Sequence, residues 1–159
     1  MSLTTEGADE ILAACAARAR ARAIDKATGI AVVDVNGFVL CARRSANTRP
    51  NTLELASAKA YTAAVMGCPT QLLEPWADSK PVLFMQLSRL GKYPIMATDG
   101  GVPVKRDGEV VGGLGFSGAT GAEDQRICEE VLAALGYERD FVPPKPSLDA
   151  ARAKFEQHA

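Results

Sequence analysis

Apolar residues at the start of the chain recur every three or four positions, which predicts an amphipathic helix from about Thr5 to Ile24. Two apolar runs follow, at 30–34 and 38–42. The Asn36-Gly37 dipeptide between them is a preferred sequence for a tight hairpin turn. We therefore expect the two runs to pair as antiparallel strands.

The middle of the chain shows helical patterns. Alanines give the segment 52–66 a small-residue face that can approach a sheet or another helix closely. Further helical pieces are expected over 70–77 and 81–90, because Pro81 suits a first helical turn.

Strand patterns return in the second half. The run 102–105 is expected to pair with 109–116 across Asp107-Gly108, and two or three strands are expected there. Thr120 and Glu123 have the spacing of a capping box, which predicts a closing helix. Together these elements predict an α+β layered domain, in which an antiparallel sheet of about five strands has helices on its faces.

The last segment differs in composition. Three prolines within 141–146 indicate a stiff extended linker, and a short helix is expected from Ser147. The chain is therefore divided into a domain at 1–140 and a tail at 141–159.

Composition and charge narrow the class of protein. The 159 residues suit one domain, and 47% of them are hydrophobic. Eighteen basic residues against nineteen acidic ones give a net charge of −1, which argues against nucleic acid or an acidic membrane surface as partner. Four scattered cysteines indicate reduced, buried thiols. No signal-peptide pattern or long apolar run is present, so a cytoplasmic protein is expected.

Three glycines, Gly113, Gly115 and Gly118, match the spacing of a dinucleotide-binding fingerprint. That fingerprint needs a further strand with an acidic residue about twenty positions on. Here the chain breaks instead at Pro143-Pro144, which argues against a nicotinamide cofactor.

Four separated segments carry a family resemblance: 33–37, 58–63, 100–104, and 111–119 with Glu123-Asp124. In this order and at these separations the chain resembles the GlcG/HbpS family, which includes the C-terminal domain of PduO-type corrinoid adenosyltransferases. The resemblance implies a profilin-like α/β/α fold in the order α-β-β-α-α-α-β-β-β-α. It also implies a homo-oligomer, as a dimer, tetramer or octamer, that binds heme, a corrinoid or another small anionic ligand.

Lys59 is the most suggestive single residue, because Leu55, Thr62 and Met66 share its helical face. A desolvated amine there would serve as a base, a Schiff-base nucleophile or an anion partner, unless the ammonium group simply reaches water.

Arg44 ends the second predicted strand, where the family usually has an arginine. It is either an anion clamp beside Lys59 or an ordinary exposed side chain.

We expect ligand binding by a set of residues beside the 100–103 loop: Arg44, Lys59, Thr62, Gly100, Gly101 and Pro103. An unpaired amine is costly to bury, so Lys59→Met should abolish binding while leaving the fold intact or more stable. An oligomer is also expected, because the alanine face of 52–66 and the apolar stripe of the tail together exceed what one small sheet is expected to cover.

Two carboxylates complete the candidates for proton transfer. Asp34 precedes the first hairpin and either transfers a proton or accepts turn amides. Asp124 lies in the first turn of the last helix, where the helix dipole stabilises an acid whatever the function.

The only histidine is His158, so heme ligation by a histidine of the core is not supported, and no metal site is predicted. Two hypotheses remain. The first is a small-molecule binding protein of the GlcG/HbpS type. The second is a small cofactor-independent enzyme of organic-acid or aldehyde catabolism, in which Lys59 and Arg44 hold the carboxylate and Asp34 or Asp124 moves a proton.

Overall fold

A computed structural model describes residues 1–141, so the predicted tail beyond Phe141 lies outside the described residues. The helices are α1 (Thr5–Ala21), α2 (Thr52–Met66), α3 (Glu74–Ser79), α4 (Pro81–Leu87) and α5 (Gly121–Ala134). The strands are β1 (Gly29–Asp34), β2 (Val39–Arg44), β3 (Gly101–Arg106) and β4 (Glu109–Ser117). Short 3-10 helices lie at Asp25–Ala27 and Thr70–Leu73.

The sheet is antiparallel throughout, with strand order β2-β1-β4-β3. The predicted α+β fold class is confirmed, but the described residues form four strands rather than about five. Residues 91–100 run instead as an irregular loop, in which Pro94 has no amide hydrogen to donate. The Met96 amide donates to the Thr62 hydroxyl rather than to a neighbouring strand.

Both predicted hairpins are confirmed. Gly37 has a φ of 82° in the turn between β1 and β2. Asp107 and Gly108, between β3 and β4, have φ values of 53° and 78°. In the second turn both central positions have positive φ, the conformation that matches the twist of paired strands, whereas in the first turn only the glycine of the Asn36-Gly37 dipeptide does.

The sheet separates two apolar layers, as expected for an α/β/α arrangement. On one face, α1 and α5 pack over Ile30, Val32, Leu114 and Phe116. On the other face, α2 packs over Ala31 and Val33. Alternate residues of β1 thus point into different layers.

The alanine face of α2 is covered by the sheet of its own chain. An added Cβ at Gly115 would overlap the carbonyl oxygen of Ala56, and one at Gly113 would overlap that of Ala60. Two of the fingerprint glycines therefore allow a helix to lie almost directly on a strand. The expectation that this alanine face needs a second subunit to cover it is wrong.

Helix α5 begins at the predicted position. The Thr120 hydroxyl accepts a hydrogen bond of 3.3 Å from the Glu123 amide, which is half of the predicted capping box. The Glu123 carboxylate turns away and pairs with Arg22, the C-cap residue of α1. Arg22 and Arg18 also pair with Glu130, so charged groups join the two helices that cover one face.

Candidate functional site

Lys59 lies in the interior and already has a counterion. Its Nζ atom donates to Asp124 Oδ2 at 3.2 Å and to the Phe116 carbonyl at 3.0 Å. The side chains of Lys59 and Asp124 are 4% and 5% exposed. The expectation of an interior amine holds, whereas the expectation that Lys59 is unpaired is wrong.

Two opposing influences act on the pKa of Asp124. Burial raises its pKa above the usual value, while Lys59 and the backbone amide of Ala119 act to lower it. That amide donates to Asp124 Oδ1 at 2.9 Å, so both carboxylate oxygens are occupied. Among the described residues, no fully buried side-chain nitrogen or oxygen lacks a hydrogen-bond partner. The pair therefore needs no external anion for charge balance.

Two of the predicted ligand-binding glycines lie beside this pair. The Gly100 amide donates to Gln125 Oε1 at 2.9 Å, and a Cβ added at Gly100 would lie 2.8 Å from Lys59 Nζ. The Gly101 amide donates to the Thr70 hydroxyl at 3.0 Å. The backbone at these two glycines therefore closely approaches the protein's own groups.

The other predicted residues are dispersed. Arg44 is exposed and donates to the Thr48 carbonyl at 3.4 Å, so it does not join Lys59. Pro103 is buried within β3, opposite Gly113. The Thr62 hydroxyl donates to the Ala58 carbonyl within α2.

Asp34 caps the first hairpin. Its Oδ1 atom accepts hydrogen bonds from the amides of Asn36, at 2.9 Å, and Phe38, at 3.0 Å. This matches the alternative role considered for Asp34, that of accepting turn amides.

The described residues form an apolar cleft that the sequence patterns did not identify. It has a volume of about 370 Å³ and lies between the end of α2, the helices α3 and α4, and the loop that follows. Its walls include Tyr61, Met66, Trp76, Phe84, Leu87 and Ile95. The available signal was a concentration of aromatic and aliphatic residues in the predicted helices at 70–77 and 81–90.

Tyr61 forms one wall of this cleft and is held from two sides. A Cβ added at Gly37 or at Gly91 would overlap the tyrosine, so both glycines are needed for its position. The Tyr61 hydroxyl accepts a hydrogen bond from the Lys92 amide at 3.3 Å. The ring also packs against Tyr93, with the centroids 5.7 Å apart.

Trp76 and Phe84 line the cleft together in an edge-to-face arrangement, with ring centroids 5.3 Å apart. This geometry is favourable for aromatic pairs. Because α3 and α4 are short and contain no buried residue, this contact helps to hold the two helices together. The cleft is thus built on aromatic packing at the surface of the domain.

Residues 1–141 contain no cluster of three or more histidine, cysteine or acidic side chains suited to a metal ion. The four cysteines are free thiols. Burial raises the pKa of Cys68 to about 11, and burial together with Asp9 raises that of Cys41 to about 11, so these thiols are protonated near neutral pH. In the same range of the chain, no helix combines the length and apolar character needed to cross a membrane.

Comparison with known proteins places this fold in a family. Residues 3–133 match the family described as "Haem degrading protein HbpS-like". The corrinoid adenosyltransferase PduO of Salmonella typhimurium is 31% identical over 121 residues, which are 76% of this chain and 35% of that protein. The chain therefore spans about a third of the length of this relative.

Two solved structures are similar over most of their length. The PduOC:heme complex has a TM-score of 0.76 and 26% identity, with 87% of this chain and 98% of that chain covered. HbpS has a TM-score of 0.74 and 30% identity, with coverage of 86% and 92%. Since the family match extends through nearly all the described helices and strands, this chain belongs to the HbpS-like family.

Proposed function

We propose that this protein binds a small, largely apolar molecule of the tetrapyrrole class in the cleft between α2, α3 and α4. The observation that carries the proposal is the cleft itself. Its volume of about 370 Å³ is within the range of small-molecule sites, which are about 300–1,000 Å³, and its walls are mostly aromatic and aliphatic. The structural relative PduOC was solved as a complex with heme.

The cleft residues fit the organic ring of a tetrapyrrole better than they fit its iron. Heme iron is held by histidine, cysteine, methionine or tyrosine, and it supplies redox chemistry when bound. No histidine occurs before His158. The cleft offers the Met66 thioether and the Tyr61 hydroxyl, and the latter already accepts the Lys92 amide. We propose that ring burial supplies most of the affinity.

Trp76 gives a direct test, because it is the only tryptophan and it lines the cleft. Hemin and metal-free protoporphyrin should both quench its fluorescence, with dissociation constants that agree within a few-fold. Phe84→Ala should weaken both ligands about tenfold or more, because it removes a side chain whose burial contributes about 1.5–3 kcal/mol.

Val82→Ala is the matched control, because Val82 lies on the same helix but outside the cleft walls. The hemin absorption spectrum should be unchanged in His158→Ala. Binding of hemin but not of protoporphyrin would show that iron ligation dominates and would contradict this proposal. So would unchanged affinity in Phe84→Ala.

We further propose that the protein is a homo-oligomer that uses exposed apolar side chains around α4. Met85 and Leu90 are 61% and 80% exposed, and Phe38 is 56% exposed. Light scattering at micromolar concentration should give a mass above that of a monomer. Met85→Glu should shift the mass towards the monomer, whereas Ala21→Glu, on the exposed end of α1, should not. A monomeric wild type would refute the proposal.

A further inference from the structure

Lys92 lies at the edge of the apolar cleft. It follows Gly91, which lines the cleft, and its backbone amide donates to the Tyr61 hydroxyl at 3.3 Å. Tyr61 is itself a wall of the cleft and is 9% exposed. The lysine backbone is therefore fixed relative to the site, although its side chain is exposed.

Aromatic rings flank the Lys92 ammonium group. Its Nζ atom lies 4.6 Å from the centroid of Phe38 and 5.6 Å from that of Tyr93. The Tyr93 ring in turn packs against Tyr61. Cation–π contacts of this kind keep an amine near an apolar surface while leaving its hydrogen-bond donors available.

Lys92 has no carboxylate partner among residues 1–141, in contrast to Lys59 and Lys105. Arg89 is three positions earlier, between the cleft residues Ser88 and Leu90, and it also forms no ion pair within that range. Two basic residues without ion pairs among residues 1–141 thus adjoin cleft-lining residues along the chain, and the Lys92 ammonium lies beside the Tyr93 ring that packs on the cleft wall Tyr61.

We propose that the ligand of this cleft is an amphipathic carboxylate, whose apolar body occupies the cleft and whose carboxylate binds Lys92. This inference rests on the proposed function and specifies the chemistry of its ligand. An apolar cavity with a cation at its edge favours a molecule that combines the two properties. A tetrapyrrole propionate and a long-chain fatty acid share this chemistry, and the test below distinguishes them.

The test compares acids with their esters, using Trp76 fluorescence. Protoporphyrin is titrated beside its dimethyl ester, and oleate beside methyl oleate. Wild type should bind the free acid of the true ligand class about fivefold more tightly than its ester, as expected for a solvent-accessible ion pair. Whichever compound, porphyrin or fatty acid, is bound more tightly as the free acid than as the ester has the apolar body that the cleft accepts. This preference for the acid should decrease as salt is added.

Lys92→Met keeps an apolar stem but removes the charge. It should bind acid and ester equally, and its affinity for the ester should match that of wild type. Lys26→Met, in the 3-10 helix after α1 and outside the cleft walls, should keep the preference. Equal binding of acid and ester by wild type would overturn the inference and leave the proposed function standing. Failure of every compound to quench Trp76 would overturn both.

Discussion

Replacing Lys59 with methionine is expected to lower the free energy of unfolding by about 3–5 kcal/mol at pH 7, because the buried Asp124 carboxylate loses its counterion. This loss of stability is the opposite of the neutral or stabilising effect expected if Lys59 were unpaired. Urea unfolding followed by circular dichroism measures the change. Lys59→Met/Asp124→Asn should recover much of the loss, since the amide oxygen can still accept the Ala119 hydrogen bond.

The Lys59→Met deficit should depend on pH in a defined direction. Burial already raises the pKa of Asp124, and removing Lys59, which acts to lower it, raises that pKa further. A carboxyl group with a higher pKa in the folded state binds protons more readily when folded, so the free energy of unfolding falls as pH rises through that pKa. The deficit should therefore shrink as pH is lowered towards the ordinary aspartate pKa.

Two results would contradict this interpretation of the pair. One is a Lys59→Met protein as stable as wild type at pH 7. The other is a double variant less stable than Lys59→Met alone, because a shared buried pair requires the two substitutions to be non-additive.

Gly115→Ala is expected to destabilise the fold by about 3 kcal/mol, because the new methyl group would overlap the carbonyl oxygen of Ala56 in α2. Relief requires the helix to move away from the sheet, since the obstacle is backbone rather than a flexible side chain. The same urea experiment measures the effect.

Gly7→Ala is the matched control for that substitution. Gly7 lies in the first turns of α1, and its added Cβ would meet mainly side-chain atoms, at 3.1 Å or more. Alanine there should be neutral or stabilise the protein by up to about 1 kcal/mol. A Gly115→Ala protein with wild-type stability would show that α2 does not depend on the close approach.

Whether the role of a candidate site residue could be predicted depends on how far along the chain its contact partner lies. The turn role of Asp34 was among the alternatives predicted, because the amides that donate to its carboxylate lie within four positions of it. The partner of Lys59 is 65 positions away, and no local pattern specifies such a pair. For Arg44 the error is a predicted contact that does not form: the arginine was expected beside Lys59, but its side chain donates to the Thr48 carbonyl instead.

The apolar cleft was missed for a related reason. Its walls come from three helices and a loop. Each of these mostly apolar residues, taken alone, could equally belong to an ordinary hydrophobic core. Gly113 and Gly115 show the same ambiguity, because a G-x-G spacing indicates only that some other group packs closely against the backbone there. Whether a cofactor or a helix makes that approach depends on tertiary contacts.

The sequence by itself determined the helices, the two hairpins and the α+β class, because periodicity, turn dipeptides and helix caps act over a few residues. Only the tertiary structure decided that residues 1–141 form a sheet of four strands, that Lys59 pairs with Asp124, and that aromatic side chains line a cleft. These features depend on which distant segments pack together. That choice is made by burial of the whole apolar surface rather than by any local pattern.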